Sequence, residues 1–337
     1  MRVVQIHGPN DVRVDEAPKP VVGPYDVLLK IDACGVCGSD LTFAKYGFQR
    51  EGGEPWPLGH EASGTVVEAG NKVEGIAPGL RAVINPTGAY DNIIGNGGSE
   101  GAFADYLLIR NAKLDVHLLP LPEGMSAERA ALVEPMAVAL HGVNRGNVSV
   151  DDKVVVFGAG PIGLGAVFWL KRRGVKNIVS VDLSEARLAI ARDLGATATV
   201  NPSKTDLNEA LGELHGITAP VMGKPTVGTD LFMDMAGGPT VLESIIKIAQ
   251  FHARIVLTAV YAAPVSLDLQ TMLLKEISMT TAVSYPDELP DVLATLAQIS
   301  EQDIKPYVTH RFAFEEFASA LQTAKEPTSG KVMVYFD

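Results

Sequence analysis

The sequence predicts an α/β protein of two units, a β-rich unit followed by a doubly wound parallel sheet, on three observations. Residues 1 to about 135 are rich in Gly and Pro, with short apolar runs broken by turns, the texture of packed short strands. From Val154 onward, apolar strands alternate with helical stretches, which is the pattern of a parallel sheet covered by helices on both faces. The run GAGPIG (158–163) stands at the first strand-to-helix turn of that second part.

The first part is read as a compact all-β unit from VLLKIDA (27–33), ASGTVVEAG (62–70), RAVINP (81–86) and AFADYLLI (102–109). In the second part VVVF (154–157) is an apolar, β-branched strand, followed by a helix running through WLKRRG and then by the strand NIVSVD (177–182). The next helix, SEARLAIARDLG, has Ser184 as its N-cap and Gly195 just past its end, the usual start and stop residues of a helix. Further strands are expected at TDLFMDM (229–235), RIVLTAV (254–260) and ISMTTAV (277–283). A helix at DELPDVLATLAQIS and a closing strand at KVMVYF complete the chain.

Composition excludes several classes of function. At 337 residues, 47% hydrophobic and 20% charged, the chain is an ordinary globular protein long enough for two cores. A formal charge of −12 argues against nucleic acid or an anionic membrane surface as the main partner. No apolar run of about 18 residues is present, and the opening MRVVQIHGP reads as a strand that meets Pro9 rather than as a signal peptide. Cys34 and Cys37, the two cysteines of the chain, sit too close together to staple a fold. In an intracellular protein such a pair points to metal or catalysis, and a cytoplasmic location is expected.

The glycine run meets the three contextual conditions for dinucleotide binding: a strand precedes it, a helix follows, and an acidic residue ends the next strand. Asp182 stands 19 residues past Gly163, against an expected spacing of about 20. Gly158 permits the tight turn, Gly160 lets the backbone approach a pyrophosphate, and Gly163 allows close helix–strand packing. Pro161 and Ile162 open the helix whose free N–H groups would meet the diphosphate. Asp182 would accept hydrogen bonds from ribose hydroxyls, and its charge would repel a 2′-phosphate, so NAD is expected rather than NADP. Arg187 either turns toward a phosphate or lies on the helix surface near the adenine. The loop AGG (236–238) reads equally as a cover for the cofactor or as a plain turn.

The first unit holds ACGVCGSDL (33–41) and GHEASG (59–64), with VEP (133–135) later. Cys37, His60, Glu61 and Glu134 supply the thiolate, imidazole and carboxylates that bind zinc while leaving a position for water or substrate. Each also has a bland reading, as a small buried cysteine, a surface histidine or a helix-start glutamate, and spacing alone leaves the choice open.

Taken in order, GVCGSD, GHEASGTVVEAG, GAFADY, ALVEPMAVALHGV, GAGPIG with Asp182, and the terminal SGKVMV resemble the zinc-dependent medium-chain dehydrogenases, in particular the sorbitol, butanediol and threonine dehydrogenase branch, over nearly the whole chain. The resemblance implies a GroES-like catalytic domain of residues 1–135 and 285–337, interrupted by a Rossmann NAD-binding domain of residues 136–284. It implies Cys37 and His60 as zinc ligands, and Glu61 as a direct ligand or one that exchanges with water. Glu134 would be the remaining ligand or would hold zinc-bound water. Asp40 would orient His60, and Ser39 would begin a proton relay. Lys331 resembles a tail residue near the pyrophosphate, with a solvated surface lysine as the alternative. The implied reaction is reversible oxidation of a secondary alcohol, diol or polyol to a ketone, with zinc as Lewis acid and hydride passing to NAD. A homo-oligomer, dimer or tetramer, is also implied, for which RIVLTAV could pair across a two-fold axis.

Two departures from the family pattern matter. The segment 85–101 has none of the four cysteines of a structural zinc lobe, so a single catalytic zinc is expected. Thr42 stands where many relatives have a relay histidine, which leaves the proton route open among Thr42, water and the ribose hydroxyls. Cys34 is expected in the core, and His141 is expected to pack rather than to bind metal. The competing readings are a zinc-free NADPH quinone or enoyl reductase, which would not need Cys37 or His60, and a non-catalytic nucleotide-sensing protein.

Overall fold

The computed structural model describes residues 1–88, 93–221 and 224–337. Two main sheets organise the chain. The first has seven strands, six of them in the order Val308–Ala313, Lys331–Tyr335, Val27–Val36, Glu61–Ala69, Arg81–Ile84 and Leu118–Pro120, while Tyr106–Ile109 pairs with Val27–Val36. The terminal strand Lys331–Tyr335 runs antiparallel to Val27–Val36, with Val334 opposite Cys34. The chain therefore returns to its first sheet after building the second.

The second sheet has six strands in the order Ala198–Val200, Asn177–Val181, Lys153–Phe157, Leu231–Asp234, Arg254–Leu257 and Ser278–Thr281, and every pairing is parallel. Its strand order reverses between Lys153–Phe157 and Leu231–Asp234, the point at which doubly wound sheets bind ligands. The central strand is apolar and β-branched because both its faces are covered: Val154, Val156 and Leu164 belong to one core, and Val155, Phe157 and Phe232 to another. Helix Val133–Arg145 touches strand Glu61–Ala69 of the first sheet and strands Arg254–Leu257 and Ser278–Thr281 of the second. Met136 lies in the same core as Leu164 and Val292, and its carbonyl accepts the buried indole N–H of Trp169 at 2.9 Å.

The local signals are realised closely. Ser184 accepts the Arg187 N–H at the start of helix Glu185–Leu194, and Gly195 ends that helix with φ 118°. Two expectations need correction. The first unit is not all β, because helix Gly38–Tyr46 begins directly after Cys37. That helix buries Asp40 and Ala44 alone and has no apolar stripe to announce it. The strand Arg254–Leu257 has no free side for pairing across a two-fold axis either, since Leu231–Asp234 and Ser278–Thr281 flank it; the sheet's edges are Ala198–Val200 and, on that side, Ser278–Thr281.

Candidate active site

The strand Val27–Val36 leads into helix Gly38–Tyr46, with Cys37 at its N-cap. In the adjoining strand Glu61 lies opposite Gly35, which brings His60 and Glu61 beside Cys37. Among the described residues, the ligating atoms of Cys37, His60 and Glu61 all lie within 4.8 Å of one another. His60 and Glu61 are buried, and Cys37 is half-buried. One thiolate, one imidazole and one carboxylate in a largely buried cluster fit a zinc site by donor chemistry.

Asp40 organises the backbone around this cluster. Its carboxylate accepts the Cys37 N–H at 2.9 Å and the Gly59 N–H at 3.3 Å, pinning the chain at one ligand and next to another. His60 Nδ1 lies 3.7 Å from Asp40 and has no hydrogen-bond partner among the described residues, so Asp40 acts more on the two loops than on the imidazole. Burial opposes protonation of His60, but Cys37 and Asp40 outweigh it and raise its pKa well above the ordinary value.

Glu134 stands in the first turn of helix Val133–Arg145, 7% exposed. Burial pushes its carboxyl up to about 7, against the lowering influence of His60. Tyr285 is buried beside Glu134, and burial followed by the Glu134 charge raises its phenol well above 10.

Lys331 corrects both expectations for it. It is 1% exposed, neither a solvated lysine nor one turned toward the glycine loop. Its ammonium donates to the Glu61 carboxylate and to the Val36 carbonyl, the latter at 3.0 Å. Burial alone would lower its pKa, but Glu61 and Cys37 raise it. Period and propensity carry no signal for this contact, since strand pairing between the two ends of the chain creates it.

The remaining relay and packing candidates fall as follows. The Ser39 hydroxyl is buried without a partner among the described residues, whereas Thr42 donates to the Gly38 carbonyl of its own helix at 3.0 Å. Cys34 is fully buried in the core. His141 is hydrogen-bonded to Glu288 at 2.8 Å. The aromatics of 43–57 pack on one another, with Phe43 and Trp56 ring centroids 5.4 Å apart.

At the second sheet the three motif glycines meet three different constraints. Gly158 has φ 90°, a left-handed conformation that favours glycine. A Cβ on Gly163 would lie 1.8 Å from the Gly158 carbonyl oxygen, while one on Gly160 would meet open space. Gly160 is therefore the open approach, a cradle of the kind a diphosphate needs, and Gly163 is the close helix–strand contact. Pro161 and Ile162 open the 12-residue helix Pro161–Arg172. Asp182 accepts the Ala159 N–H at 2.7 Å and the Ser184 N–H at 2.8 Å, so it ties the glycine loop to the next strand end. Arg187 donates to the carbonyls of Ser329 and Glu326, fastening its helix to the segment before Lys331.

Between Asn85, Thr87 and Ile93 on one side and the segment 284–290 on the other lies a cavity of about 650 Å³ whose wall includes Thr87, Asp115, Tyr285 and Asp287. No lysine or arginine is among its described lining residues. Residues 89–92, within the segment that lacks the lobe cysteines, lie outside the described residues.

A glycine-loop parallel sheet joined to a sheet that carries a largely buried Cys–His–Glu cluster defines a class of protein, the metal-dependent dehydrogenases that use a dinucleotide. Comparison with known proteins agrees. Residues 23–123 match the alcohol dehydrogenase GroES-like domain, and residues 161–298 match the zinc-binding dehydrogenase domain. The chain is 32% identical to sorbitol dehydrogenase of Mus musculus, covering 98% of this chain and 95% of that protein. The crystal structure of 2R,3R-butanediol dehydrogenase from Bacillus subtilis superposes with a TM-score of 0.86 at 29% identity, covering 99% of each chain. Two further structural relatives hold cofactors: an alcohol dehydrogenase from E. coli complexed with NADH (TM-score 0.85, 27% identity, 100% and 99% covered), and a zinc-binding dehydrogenase from Sinorhizobium meliloti bound to NADP (0.83, 26%, 99% and 98%). The chain belongs to the zinc-dependent medium-chain alcohol dehydrogenase family and is an oxidoreductase.

Proposed function

We propose that this protein catalyses the reversible oxidation of a secondary alcohol, specifically an uncharged diol or polyol, to the ketone, with NAD as the hydride acceptor. The observation that carries the reading is the largely buried cluster of Cys37, His60 and Glu61, with ligating atoms within 4.8 Å, in a chain 32% identical to a sorbitol dehydrogenase. Cys37, His60, Glu61 and Glu134 are the residues proposed to hold one zinc, with no second, structural ion. When bound, zinc supplies Lewis acidity toward the alcohol oxygen.

The chain's own residues do the rest. Asp40 holds the Cys37 and Gly59 backbone, Lys331 balances the charge of Glu61, and the Ser39 hydroxyl, without a partner among the described residues, is free to pass a proton. Gly158, Gly160 and Gly163 cradle the diphosphate with the helix N-terminus at Pro161 and Ile162. Asp182 takes the ribose hydroxyls, which favours NAD over NADP. Arg187, bound to the tail carbonyls, borders the adenosine end. Asp115 and Asp287 on the cavity wall, without a lysine or arginine among its described residues, favour an uncharged substrate over a carboxylate or phosphate ester.

Residues 1–135 with 285–337 are proposed as the catalytic domain and 136–284 as the cofactor domain. A homo-oligomer is proposed as well. Its contact face is the open edge Ser278–Thr281 with the exposed side chains of Leu269, Leu273 and Met279, an edge without the lysine or proline that discourages pairing. No helix among the described residues is long and apolar enough to cross a membrane, and a cytoplasmic location is proposed.

The deciding experiment is a turnover screen of diols, polyols and simple alcohols with NAD and NADP, before and after chelation. The expected result is NAD-dependent diol or polyol oxidation that is lost on chelation and restored by one zinc per chain. Undiminished activity in metal-free protein would overturn the reading.

A further inference from the structure

The carboxyl ends of two neighbouring strands, Leu231–Asp234 and Arg254–Leu257, carry a buried network that neither the metal cluster nor the glycine motif uses. Asp234 is fully buried. Its Oδ1 accepts the N–H groups of Ala236 at 2.9 Å and Gly237 at 3.0 Å, and its Oδ2 accepts the hydroxyl of Tyr261. Its backbone carbonyl accepts the N–H groups of Thr258 at 3.0 Å and Ala259 at 3.1 Å. One residue therefore fixes two loops, 235–238 after its own strand and 258–261 after the next.

Both loops belong to the ligand crevice. A Cβ on Gly158 would lie 3.0 Å from the Ala236 nitrogen, and one on Gly237 would lie 3.0 Å from the Val260 carbonyl oxygen, so glycine motif, first loop and second loop are stacked in contact. The sheet reverses its order between Lys153–Phe157 and Leu231–Asp234, and ligands of such sheets lie across the carboxyl ends at that reversal. Gly158–Gly163 and Asp182 occupy one side of it and suit the adenosine and diphosphate. A dinucleotide extended across the reversal must place its other half over the loops that Asp234 holds. At the root of the second loop, the Thr258 hydroxyl is buried against Gly142 of helix Val133–Arg145, without a hydrogen-bond partner among the described residues.

We propose that the Asp234–Tyr261 pair is a positioning device for the nicotinamide half of the cofactor. It holds loops 235–238 and 258–261 at a fixed spacing so that the nicotinamide seats between them and the metal-bearing sheet. The proposal rests on the dinucleotide reading above. A buried carboxylate that loses one of its donors leaves an oxygen unsatisfied, and here the missing bond is the one that anchors the far end of the second loop. The glycine motif and Asp182 keep all their own contacts in such a variant.

The test compares two ligands in the zinc-loaded protein: NADH, and ADP-ribose, which lacks the nicotinamide. In Tyr261→Phe the NADH dissociation constant should rise about five- to tenfold, while that of ADP-ribose stays within about twofold. The KM for NAD should rise more than kcat falls. Asp234→Asn, which keeps the shape and the Oδ1 acceptor, should show the same pattern more weakly and serves if the tyrosine variant folds poorly. Equal weakening of both ligands, or of neither, overturns the proposal. Failure of the unaltered protein to bind either ligand sinks the dinucleotide reading, and this proposal with it.

Discussion

The Lys331 ammonium and the Glu61 carboxylate, 270 residues apart in sequence, form a buried ion pair inside the candidate metal site. A carboxylate 1% exposed needs either that ammonium or a metal to balance it, because a lone buried charge is strongly destabilising. Lys331→Met should therefore destabilise the chelated protein by about 3–5 kcal/mol. Zinc loading should narrow the gap to the unaltered protein, since the ion replaces the lost positive charge. Thermal unfolding of both forms, with and without zinc, checks this; an equal loss in the two states contradicts it.

Cys37 and His60 lie at one end of helix Gly38–Tyr46 and of the strand that begins at Glu61, remote in sequence from Gly158–Gly163. Cys37→Ser and His60→Ala should each lower turnover by at least about a thousandfold and reduce zinc content. NADH affinity should stay within about twofold. Fluorescence titration together with metal analysis separates these effects, and retention of both zinc and activity would count against the ligand assignment.

Besides the ribose contact proposed for it, the Asp182 carboxylate holds the Ala159 N–H at 2.7 Å. Asp182→Ser should lower kcat/KM with NAD about tenfold and raise it with NADP by about the same factor, because the like-charge barrier to a 2′-phosphate is removed. Steady-state kinetics with both cofactors decides, and an unaltered preference would place the discrimination elsewhere.

His215 supplies a pH dependence of stability away from the active site. Burial, followed by Lys153, pushes it down to about 4, while its Nδ1 is hydrogen-bonded to Thr229 at 2.8 Å. The unfolded chain keeps a histidine pKa of about 6.5, so between these values the unfolded state binds more protons. Stability must then rise with pH across that window and fall as the medium is acidified from about 6.5 toward 4. Melting temperatures should drop over this range, and His215→Gln should flatten the slope. An unchanged slope in that variant would exclude His215 as its source.

The legible parts of this protein are those written in contiguous residues. The strand Lys153–Phe157, the glycine motif, the Ser184 cap and Asp182 are local features, and each lies where its pattern places it. Helix Gly38–Tyr46 is hidden from a reading by pattern because it buries two residues and lacks an apolar face. The sheet edge is equally hidden, because alternation within RIVLTAV says nothing about which neighbour lies outside it.

By itself, the sequence determined the α/β class and the dinucleotide motif, because periodicity and turn chemistry are properties of short segments. It offered Cys37, His60, Glu61 and Glu134 as candidate ligands by donor type, and only the family resemblance chose among their readings. Only the tertiary structure decided that Lys331 faces Glu61, that Asp40 holds the Cys37 and Gly59 backbone, and that Tyr261 reaches Asp234. Each of these contacts joins side chains to partners on other strands or loops. Their approach depends on sheet order and register, and no local pattern records either.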